Sequence, residues 1–390
     1  MKSIVIFADY YQPGYRAGGP IVSISRMVAA DRENAFAIVT RNHDYGQTDP
    51  YDNIARQTWT TQGRARVAYL SNSPLDTLWT IRQLRNSPID YYYLNGLHSW
   101  RFALAPLVLL RLGIIPSARL LCAPRGETSP GALALKRVKK RMYRPLIKAL
   151  LPKDTVWHVS SPMEEEEVRD WWGGGLPRGH QFIIRPNLAP PPETKELRTP
   201  KLNPPVVCFA SRIDRKKGLD RALRLLRHVD GFGRFEVHGA ITDAAYWEEC
   251  RQLSRVLHPG DTVAFMGEYE PTQVRSIFAN ASALLLPTQG ENFGHVIAEA
   301  LSVGCPVIAP PTTPWTAVLR SGGGHVMETD SGAASYLSRL LAMDAEAAHA
   351  LRTAARSAYE KWYEISMKHQ GLFDDLPESR TRPVGPVDGS

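Results

Sequence analysis

The sequence is poor in cysteine and contains no long uncharged apolar run. Its 390 residues include four cysteines, which lie far apart and form no close pair of the kind that zinc or redox motifs use. No stretch reaches the roughly 18 uncharged apolar residues that a membrane-spanning helix needs. The apolar run near Met1 ends at Asp9 and is shorter than the core of a signal peptide. We therefore expect reduced thiols, no metal site and a cytoplasmic location.

Acidic residues are fewer than basic ones, so the formal charge is +8 and the pI is about 9.3. Nucleic acid, an anionic lipid surface and a phosphorylated substrate all suit such a charge. The segment Lys136–Lys153 interleaves basic residues with an apolar stripe at helical spacing: Val138, Met142, Leu146 and Leu150. This stripe either docks on an anionic membrane surface, which would place the protein on the inner face of the plasma membrane, or packs on the first domain's sheet.

Short apolar runs alternate with helical stretches along the whole chain, a pattern typical of parallel sheets built from βαβ units. We predict an α/β protein with two Rossmann-like parallel-sheet domains that face each other across a cleft. The expected boundaries are 1–185 for an acceptor-side domain, 186–205 for a linker with seven prolines, 206–355 for a donor-side domain, 356–377 for a helix that returns to the first domain, and 378–390 for a loose tail.

Ligands of parallel sheets bind beyond the carboxyl ends of the strands, so the loops that follow strands are the candidate sites. The loop Asp9–Pro20 brings Gly18 and Gly19 to the start of a helix, where backbone amides can meet an anion or simply form a tight turn. The loop Ser211–Gly218 carries four cations within six residues. Arg212 and Lys217 there have the compact positive charge that a diphosphate needs, although a solvated helix start is the alternative.

The segment from Leu284 to Leu301 is the most informative. A buried strand ends in a loop with Gly290, and Glu291 and Glu299 lie on either side of the start of a helix. Two carboxylates there can accept hydrogen bonds from sugar or ribose hydroxyls, and the helix N-terminus between them can meet a phosphate.

With these motifs the chain resembles the family 4 glycosyltransferases, which are retaining enzymes with two Rossmann-like domains. The family's Glu-x7-Glu segment matches Glu291 through Ile308, its R-x4-K-G motif matches Arg212 through Gly218, and its G-G-P loop matches Gly18 to Pro20. The resemblance implies that Arg212 and Lys217 hold the donor diphosphate. It further implies that Glu291 contacts the donor sugar and that Glu299 contacts the ribose.

Further roles follow from the same resemblance. Asn292, Phe293 and Gly294 would support the sugar or phosphates, Gly18 and Gly19 would close on the phosphates, and the base would meet the loops of Gly239 and Gly267. One departure is that Arg125 stands where many members have a histidine, so it is expected to contact substrate. His98 and Glu127 are additional candidates, with a satisfied loop histidine as the alternative for His98.

We therefore predict a glycosyltransferase that moves a sugar from a nucleotide diphosphate sugar to an acceptor hydroxyl with retention, without metal or other cofactor. No Asp-x-Asp pattern of metal-dependent transferases occurs. A UDP-sugar and a saccharide or lipid-linked acceptor are favoured, in surface polysaccharide or lipopolysaccharide assembly. The alternatives are a nucleotide-sugar epimerase or another enzyme of the same two-domain type, and a basic nucleic-acid-binding protein, although no nucleic-acid motif is recognisable.

Overall fold

The computed structural model describes residues 1–134, 137–197, 204–229, 231–255, 260–368, 371–374 and 376. It divides into two units. Unit 1 contains residues 1–187 together with the described residues from 371 onward, and unit 2 contains residues 188–368. Each unit is built on one sheet whose strands alternate with helices, so the predicted α/β class with two parallel-sheet domains is confirmed.

Unit 1 contains an eight-stranded sheet in which seven strands run parallel and one short edge strand, β3, runs antiparallel to its neighbour. Its strands are β1 Ser3–Ala8, β2 Ala35–Arg41, β3 Thr60–Gln62, β4 Ala65–Leu70, β5 Tyr91–Asn95, β6 Arg119–Ala123, β7 Val156–Val159 and β8 Gln181–Ile184. Its helices are α1 Gly19–Ala30, α2 Pro74–Arg85, α3 Ala105–Arg111, α4 Pro130–Ala134, α5 Arg137–Leu150 and α6 Pro162–Trp172, and a π-helical turn, Trp100–Leu104, precedes α3. The spatial strand order is β3-β4-β2-β1-β5-β6-β7-β8.

Unit 2 contains a six-stranded sheet in which every pair is parallel. Its strands are β9 Val206–Ala210, β10 Arg234–His238, β11 Thr262–Gly267, β12 Ala283–Leu285, β13 Val307–Ala309 and β14 Gly324–Val326. Its helices are α7 Leu219–Leu226, α8 Ala244–Ser254, α9 Val274–Ala279, α10 His295–Ser302, α11 Thr316–Val318, α12 Asp330–Leu341 and α13 Ala345–Ser366, with an irregular helical turn at Leu319–Gly323. The spatial order is β11-β10-β9-β12-β13-β14.

Both sheets contain a point at which the strand order changes direction. In unit 1 it lies between β1 and β5, where Ala8 is paired with Asn95. In unit 2 it lies between β9 and β12, where Ala283 is paired with Val207. The loops that leave two such strands diverge to opposite faces of the sheet, which opens a crevice beyond their carboxyl ends. These two crevices are therefore the places where each unit is built to bind a ligand.

The boundary between the units differs from the expected linker at 186–205. Residues before 198 already pack on unit 2, because Ala189 and Leu197 are buried and the amide of Glu193 donates to the Ser302 carbonyl at 2.8 Å. The Tyr359 hydroxyl donates to the Pro190 carbonyl at 2.6 Å. The prolines exclude this segment from the sheet, but it still packs against unit 2. Residues 198–203 lie outside the described residues.

The chain end also differs from the helix expected over 356–377. The helix is α13, which begins at Ala345 and belongs to unit 2, where Ala355 and Tyr359 are buried in the core. The chain returns to unit 1 only beyond it, where three apolar side chains enter the core of unit 1: Leu372, Phe373 and Leu376. The expected tail at 378–390 lies outside the described residues.

Helix α5 packs only part of the predicted apolar stripe against the core. Tyr143, Ile147 and Leu150 pack against the core of unit 1. Met142 is 74% exposed and Leu146 is 44% exposed. Lys148 donates to the Trp172 carbonyl at 3.2 Å and lies over the Trp172 ring. Lys136 is outside the described residues, as are the side chains from 134 to 141. None of the helices that the structure describes is long and apolar enough to cross a bilayer.

The segment after α13 that contains Phe373 provides a test of how unit 1 is stabilised. Phe373 is buried against Phe36, with ring centroids 5.5 Å apart. Replacing Phe373 with Ala leaves a cavity and is expected to cost about 3–5 kcal/mol of the free energy of unfolding. Hydrogen exchange should accelerate in β1 and β2 while unit 2 stays unchanged. Ile365→Ala, at an exposed position of α13, is the control and should change neither unit. Equal exchange in β1 and β2 for both variants would contradict this account.

Candidate functional site

The loops that follow β9 and β12 are bound to each other at the crevice of unit 2. The carbonyl of Lys216 accepts hydrogen bonds from the amide of Gln289 at 2.8 Å and from the hydroxyl of Thr288 at 3.1 Å. Glycine is required at this contact, at Gly218, and again where the loop after β10 approaches the end of β9, at Gly239. Gly218 and Gly239 both have positive φ, and a Cβ would collide with the Pro287 carbonyl in the first case and with the Ser211 carbonyl in the second.

This contact brings Lys217 and Glu291 together, although 74 residues separate them in sequence. The Lys217 ammonium donates to both oxygens of the Glu291 carboxylate, at 2.7 and 2.9 Å. The side chains are only 13% and 9% exposed, respectively. Burial by itself raises the pKa of Glu291, but the charges of Lys217 and Lys216 and the hydrogen bonds from Lys217 and Thr288 together outweigh it, so the pKa lies below the usual range. The two motifs are therefore parts of one charged site.

The other cations of the loop divide between this site and the surface. Arg212 is about one-third exposed, and its guanidinium lies 3.8 Å from Asp214. Burial, followed by the neighbouring Lys217 charge, lowers the pKa of Lys216. Arg215 instead turns to the surface, where it forms an exposed ion pair with Glu249 and stacks over the Tyr246 ring. Three cations of this loop, Arg212, Lys216 and Lys217, thus lie near two carboxylates, Asp214 and Glu291.

The residues after Glu291 form the start of α10. Gly294 has a φ of 77° and precedes the first helical residue, so Glu291 lies in the loop and Glu299 lies within the helix. Asn292 is half-buried in this loop. The Phe293 ring is buried against Trp315, and the Trp315 indole donates to the Phe293 carbonyl. The side chain and carbonyl of Phe293 thus have structural partners, and the Gly294 carbonyl accepts from the Ile297 amide at 2.9 Å.

A second part of the crevice lies beyond β10 and β11. The amide of Gly239 donates to the Gly267 carbonyl at 2.7 Å. Burial raises the pKa of Tyr269, and the charge of Glu299 raises it further, so these two side chains are neighbours. The His238 ring lies 6.3 Å from the Tyr269 ring, and burial lowers the pKa of His238. Glu299 is therefore near Tyr269, while Glu291 is paired with Lys217.

In unit 1, Gly18 and Gly19 lie where the sequence predicts, at the start of α1. Gly18 has a φ of 70° and precedes the helix, and Gly19 is its first residue. The loop before them is held by Asp44, whose carboxylate accepts from the amides of Tyr15 at 2.8 Å and Arg16 at 3.1 Å. The role predicted for the two glycines in phosphate binding remains a prediction.

Arg125 is held entirely by protein groups. It has a φ of 55°, a strained backbone conformation for a residue with a side chain. Its guanidinium donates to Asn95 at 2.7 Å, to the Tyr93 hydroxyl at 2.7 Å and to Asn187. These three bonds use three of the five guanidinium N–H donors, so the substrate contact expected from the sequence stays a prediction. Its observed role is to fix the loop after β6.

That loop carries Glu127, which binds His98. One carboxylate oxygen of Glu127 accepts from the amides of Leu97 at 2.6 Å and His98 at 2.9 Å, and it lies 3.0 Å from Nδ1 of His98. Burial by itself raises the pKa of Glu127, but these hydrogen bonds lower it more, so its pKa lies below the usual range. Glu164 holds the same loop from the other side by accepting from the Gly126 amide at 2.8 Å.

Asp9 and Ser99 were not predicted as site residues, yet they meet at the crevice of unit 1. The Ser99 hydroxyl donates to one oxygen of Asp9 at 2.9 Å, and Arg41 donates to the same oxygen at 2.8 Å. The three residues follow or end three different strands, so no local motif contains them. The sequence does show polar residues directly after β1 and β5. Their proximity could not be predicted, because it depends on β1 and β5 being neighbours in the sheet.

Among the residues that the structure describes, no three His, Cys, Asp or Glu side chains are grouped so that they could hold a metal ion. The polar groups of unit 2 are instead arranged as a cationic crevice with two carboxylates at separate places. Such a crevice can bind a diphosphate through its cations and hydroxyl groups through its carboxylates. The metal independence predicted from the sequence stays a prediction.

Comparison with known proteins assigns this region to a class. Residues 192–358 match the family model described as glycosyl transferases group 1. A D-inositol 3-phosphate glycosyltransferase from Corynebacterium kroppenstedtii is 26% identical over 208 residues, which are 51% of this chain and 45% of that protein. The alignments with the curated relatives span about half of their length or less.

Solved structures share the fold of the whole chain. A sucrose-phosphate synthase from Thermosynechococcus elongatus has a TM-score of 0.72 at 18% identity, and the match covers 96% of this chain and 98% of that one. Anabaena Alr3699/HepE in complex with UDP and glucose has a TM-score of 0.71 at 14% identity, with 96% and 100% coverage. Each of the two units therefore has the fold found in these glycosyltransferases.

The contact between the loops after β9 and β12 can be tested with two glycine variants, one at the contact and one away from it. Gly218→Ala and Gly231→Ala both force alanine into a positive φ, which costs about 1–2 kcal/mol. Only Gly218→Ala adds a collision, since nothing lies within 4 Å of the Gly231 position. Moving the loop after β9 away from Pro287 should cost a further 1–3 kcal/mol or so. Urea unfolding of unit 2 measures the difference, and equal destabilisation by the two variants would contradict the close approach.

Proposed function

We propose that this chain is a retaining glycosyltransferase that moves a sugar from a nucleotide diphosphate sugar to an acceptor hydroxyl. The observation that carries the proposal is the buried Lys217–Glu291 pair at the crevice of unit 2, with Arg212 and Lys216 in the same loop. A diphosphate needs clustered cations, and a sugar needs an acceptor group beside them. This pair provides both at one place.

The proposed chemistry is stabilisation of the leaving group. As the bond between the anomeric carbon and the phosphate oxygen breaks, negative charge develops on the nucleoside diphosphate, where Lys217 and Arg212 stabilise it. The acceptor hydroxyl oxygen forms its new bond on the same face of the anomeric carbon. The hydroxyl proton passes to the departing phosphate oxygen. Glu291 orients the donor sugar through its hydroxyls, and Glu299 accepts from the ribose.

A UDP-sugar is the donor that we favour. The solved structure of Alr3699/HepE contains UDP and glucose, and its fold matches that of this chain. The loops of Gly239 and Gly267, beside Tyr269 and Glu299, would hold the base and ribose.

An epimerase acting on the same donor would convert it to an isomer without acceptor. A transferase consumes the donor only by transfer or slow hydrolysis, so product analysis without acceptor separates the two.

Lys217→Ala should lower kcat/KM for the donor by about 10²–10³-fold, because one charged contact to the leaving group is worth roughly 3–4 kcal/mol. Arg212→Ala should act in the same direction without leaving Glu291 unpaired. Arg215→Ala is the control, since this cation of the same loop is exposed and pairs with Glu249. Turnover of UDP-glucose and other nucleotide sugars, followed by release of the nucleoside diphosphate, measures the effect. Wild-type turnover of Lys217→Ala would refute the phosphate role.

We further propose that α5 places the protein on an anionic membrane, where a lipid-linked acceptor for polysaccharide or lipopolysaccharide assembly would be found. Two facts support this. Met142 and Leu146 are one helical turn apart and remain largely exposed, although apolar partners in unit 1 are within reach of the same helix. The sequence around them is rich in lysine and arginine, which attract anionic headgroups.

Replacing both Met142 and Leu146 with Glu should release the protein from vesicles that contain phosphatidylglycerol. The double variant replaces exposed apolar area with negative charge and changes no buried residue. Ile365→Glu, at an exposed position of unit 2, is the control for added charge. Co-sedimentation with vesicles of phosphatidylglycerol and phosphatidylcholine measures binding. Equal sedimentation of the two charged variants, or no binding by the wild-type chain, would contradict membrane docking by α5.

A further inference from the structure

We propose that Trp315 is a positioning residue of the candidate donor site: its indole holds the Phe293 carbonyl and thereby directs the amide of Gly294 at a phosphate oxygen of the donor. Trp315 lies in the loop between β13 and α11, outside the motifs that the sequence analysis identifies. The inference rests on the proposed function, in which that phosphate belongs to a nucleotide diphosphate sugar. It adds a buried residue that acts on the donor through the backbone of another loop.

The hydrogen bond from Trp315 to Phe293 is the first observation. Trp315 is 1% exposed, and its indole N–H donates to the Phe293 carbonyl. An indole nitrogen can only donate, and a buried donor without an acceptor is costly, so this bond helps to keep the side chain where it lies. The Phe293 carbonyl is therefore directed at a residue of the core of unit 2.

The direction of that carbonyl determines where the next amide points. The peptide bond between Phe293 and Gly294 is trans. In a planar trans peptide the carbonyl of one residue and the N–H of the next point in opposite directions. The Gly294 N–H is therefore directed away from Trp315. It donates to none of the residues that the structure describes.

This amide lies where an anion can reach it. Gly294 is buried and directly precedes α10, and amides at the N-terminus of a helix attract anions. A Cβ on Gly294 would lie 3.4 Å from Cβ and Cγ of Glu291, so the amide adjoins the ion pair of Glu291 with Lys217. A buried amide without an acceptor is costly, and a phosphate oxygen beside Lys217 would remove that cost.

The loop that contains Trp315 is itself held in place. The Thr316 hydroxyl donates to the carbonyls of Pro311 at 3.2 Å and Thr313 at 3.0 Å. The carbonyl of Thr312 accepts from the amide of Glu291 at 3.2 Å, which is a second hydrogen bond between this loop and the loop after β12. The loop after β13 is thus an ordered support for the residues from Glu291 to Gly294.

Aromatic packing fixes the orientation of the Trp315 ring. Its centroid lies 4.4 Å from that of Trp362, 5.4 Å from that of Phe293 and 6.1 Å from that of Tyr359. Because side chains in a core are close-packed, the indole cannot turn without displacing these rings. Trp362 also lies against Phe293, with centroids 6.1 Å apart, but its indole donates to none of the described residues. Trp362 is therefore a matched control.

The test compares Trp315→Phe with Trp362→Phe in the full chain. Both substitutions keep an aromatic ring in the same cluster, but only the first removes a hydrogen bond to Phe293. Isothermal titration measures binding of UDP, and thermal unfolding checks that both variants are folded. We expect Trp315→Phe to bind UDP roughly tenfold more weakly or worse, because a hydrogen bond to a charged group has this size. Trp362→Phe should bind UDP like the wild-type chain.

Hydrogen exchange at the Gly294 amide separates positioning from packing. In the wild-type chain and in Trp362→Phe, saturating UDP should slow the exchange of this amide. In Trp315→Phe, saturating UDP should still slow exchange in residues 211–218 but no longer at Gly294. A change of packing alone would not remove protection at this one amide.

Three results would overturn the inference. The first is equal affinity of Trp315→Phe and Trp362→Phe for UDP, and the second is protection of Gly294 by UDP in Trp315→Phe. The third is an unprotected Gly294 amide in the wild-type chain bound to UDP, which needs no variant and decides the matter if Trp315→Phe does not fold. In each of these cases UDP binds and the proposed function stands. If the wild-type chain does not bind UDP, the proposed function fails and the role of Trp315 fails with it.

Discussion

The close contact between the loops after β9 and β12 is the constraint on which the candidate donor site depends. Gly218 lies against the Pro287 carbonyl, where no residue with a Cβ fits, and the Lys216 carbonyl accepts from Gln289 and Thr288. Only this approach lets Lys217 reach Glu291 from a loop 74 residues away. The buried ion pair is costly to desolvate and is stabilised by its short hydrogen bonds, so its position is well defined before any ligand arrives.

Both units have a crevice where the strand order changes direction, but the side chains at the two crevices differ in charge. In each, the strand order changes direction beside the first strand, and polar side chains follow the two diverging strands. In unit 2 these side chains are mainly cationic and suit a diphosphate. In unit 1 they are of mixed charge, with Asp9 bound by Arg41 and Ser99 and with Glu127 facing His98.

The sequence predicts the elements much better than their contacts. Strands such as Val206–Ala210 are continuous apolar runs, and the structure has them at the same residues. The sequence does not show that Arg125 is bound by Tyr93, Asn95 and Asn187, because these partners come from distant segments. It also does not show which face of α5 meets the core, since the spacing allows two apolar faces and only packing selects one. Contacts of this kind depend on strand order and register, which a single sequence leaves open.

The central claim is that a nucleoside diphosphate binds at the carboxyl edge of the unit 2 sheet. Hydrogen exchange measured with and without UDP tests it most directly, because backbone amides that a ligand covers exchange more slowly. The account predicts slower exchange in residues 211–218 and 287–299, with little change at the amino ends of the same strands and none in α5. No change on addition of saturating UDP, or protection confined to residues away from these loops, would contradict it.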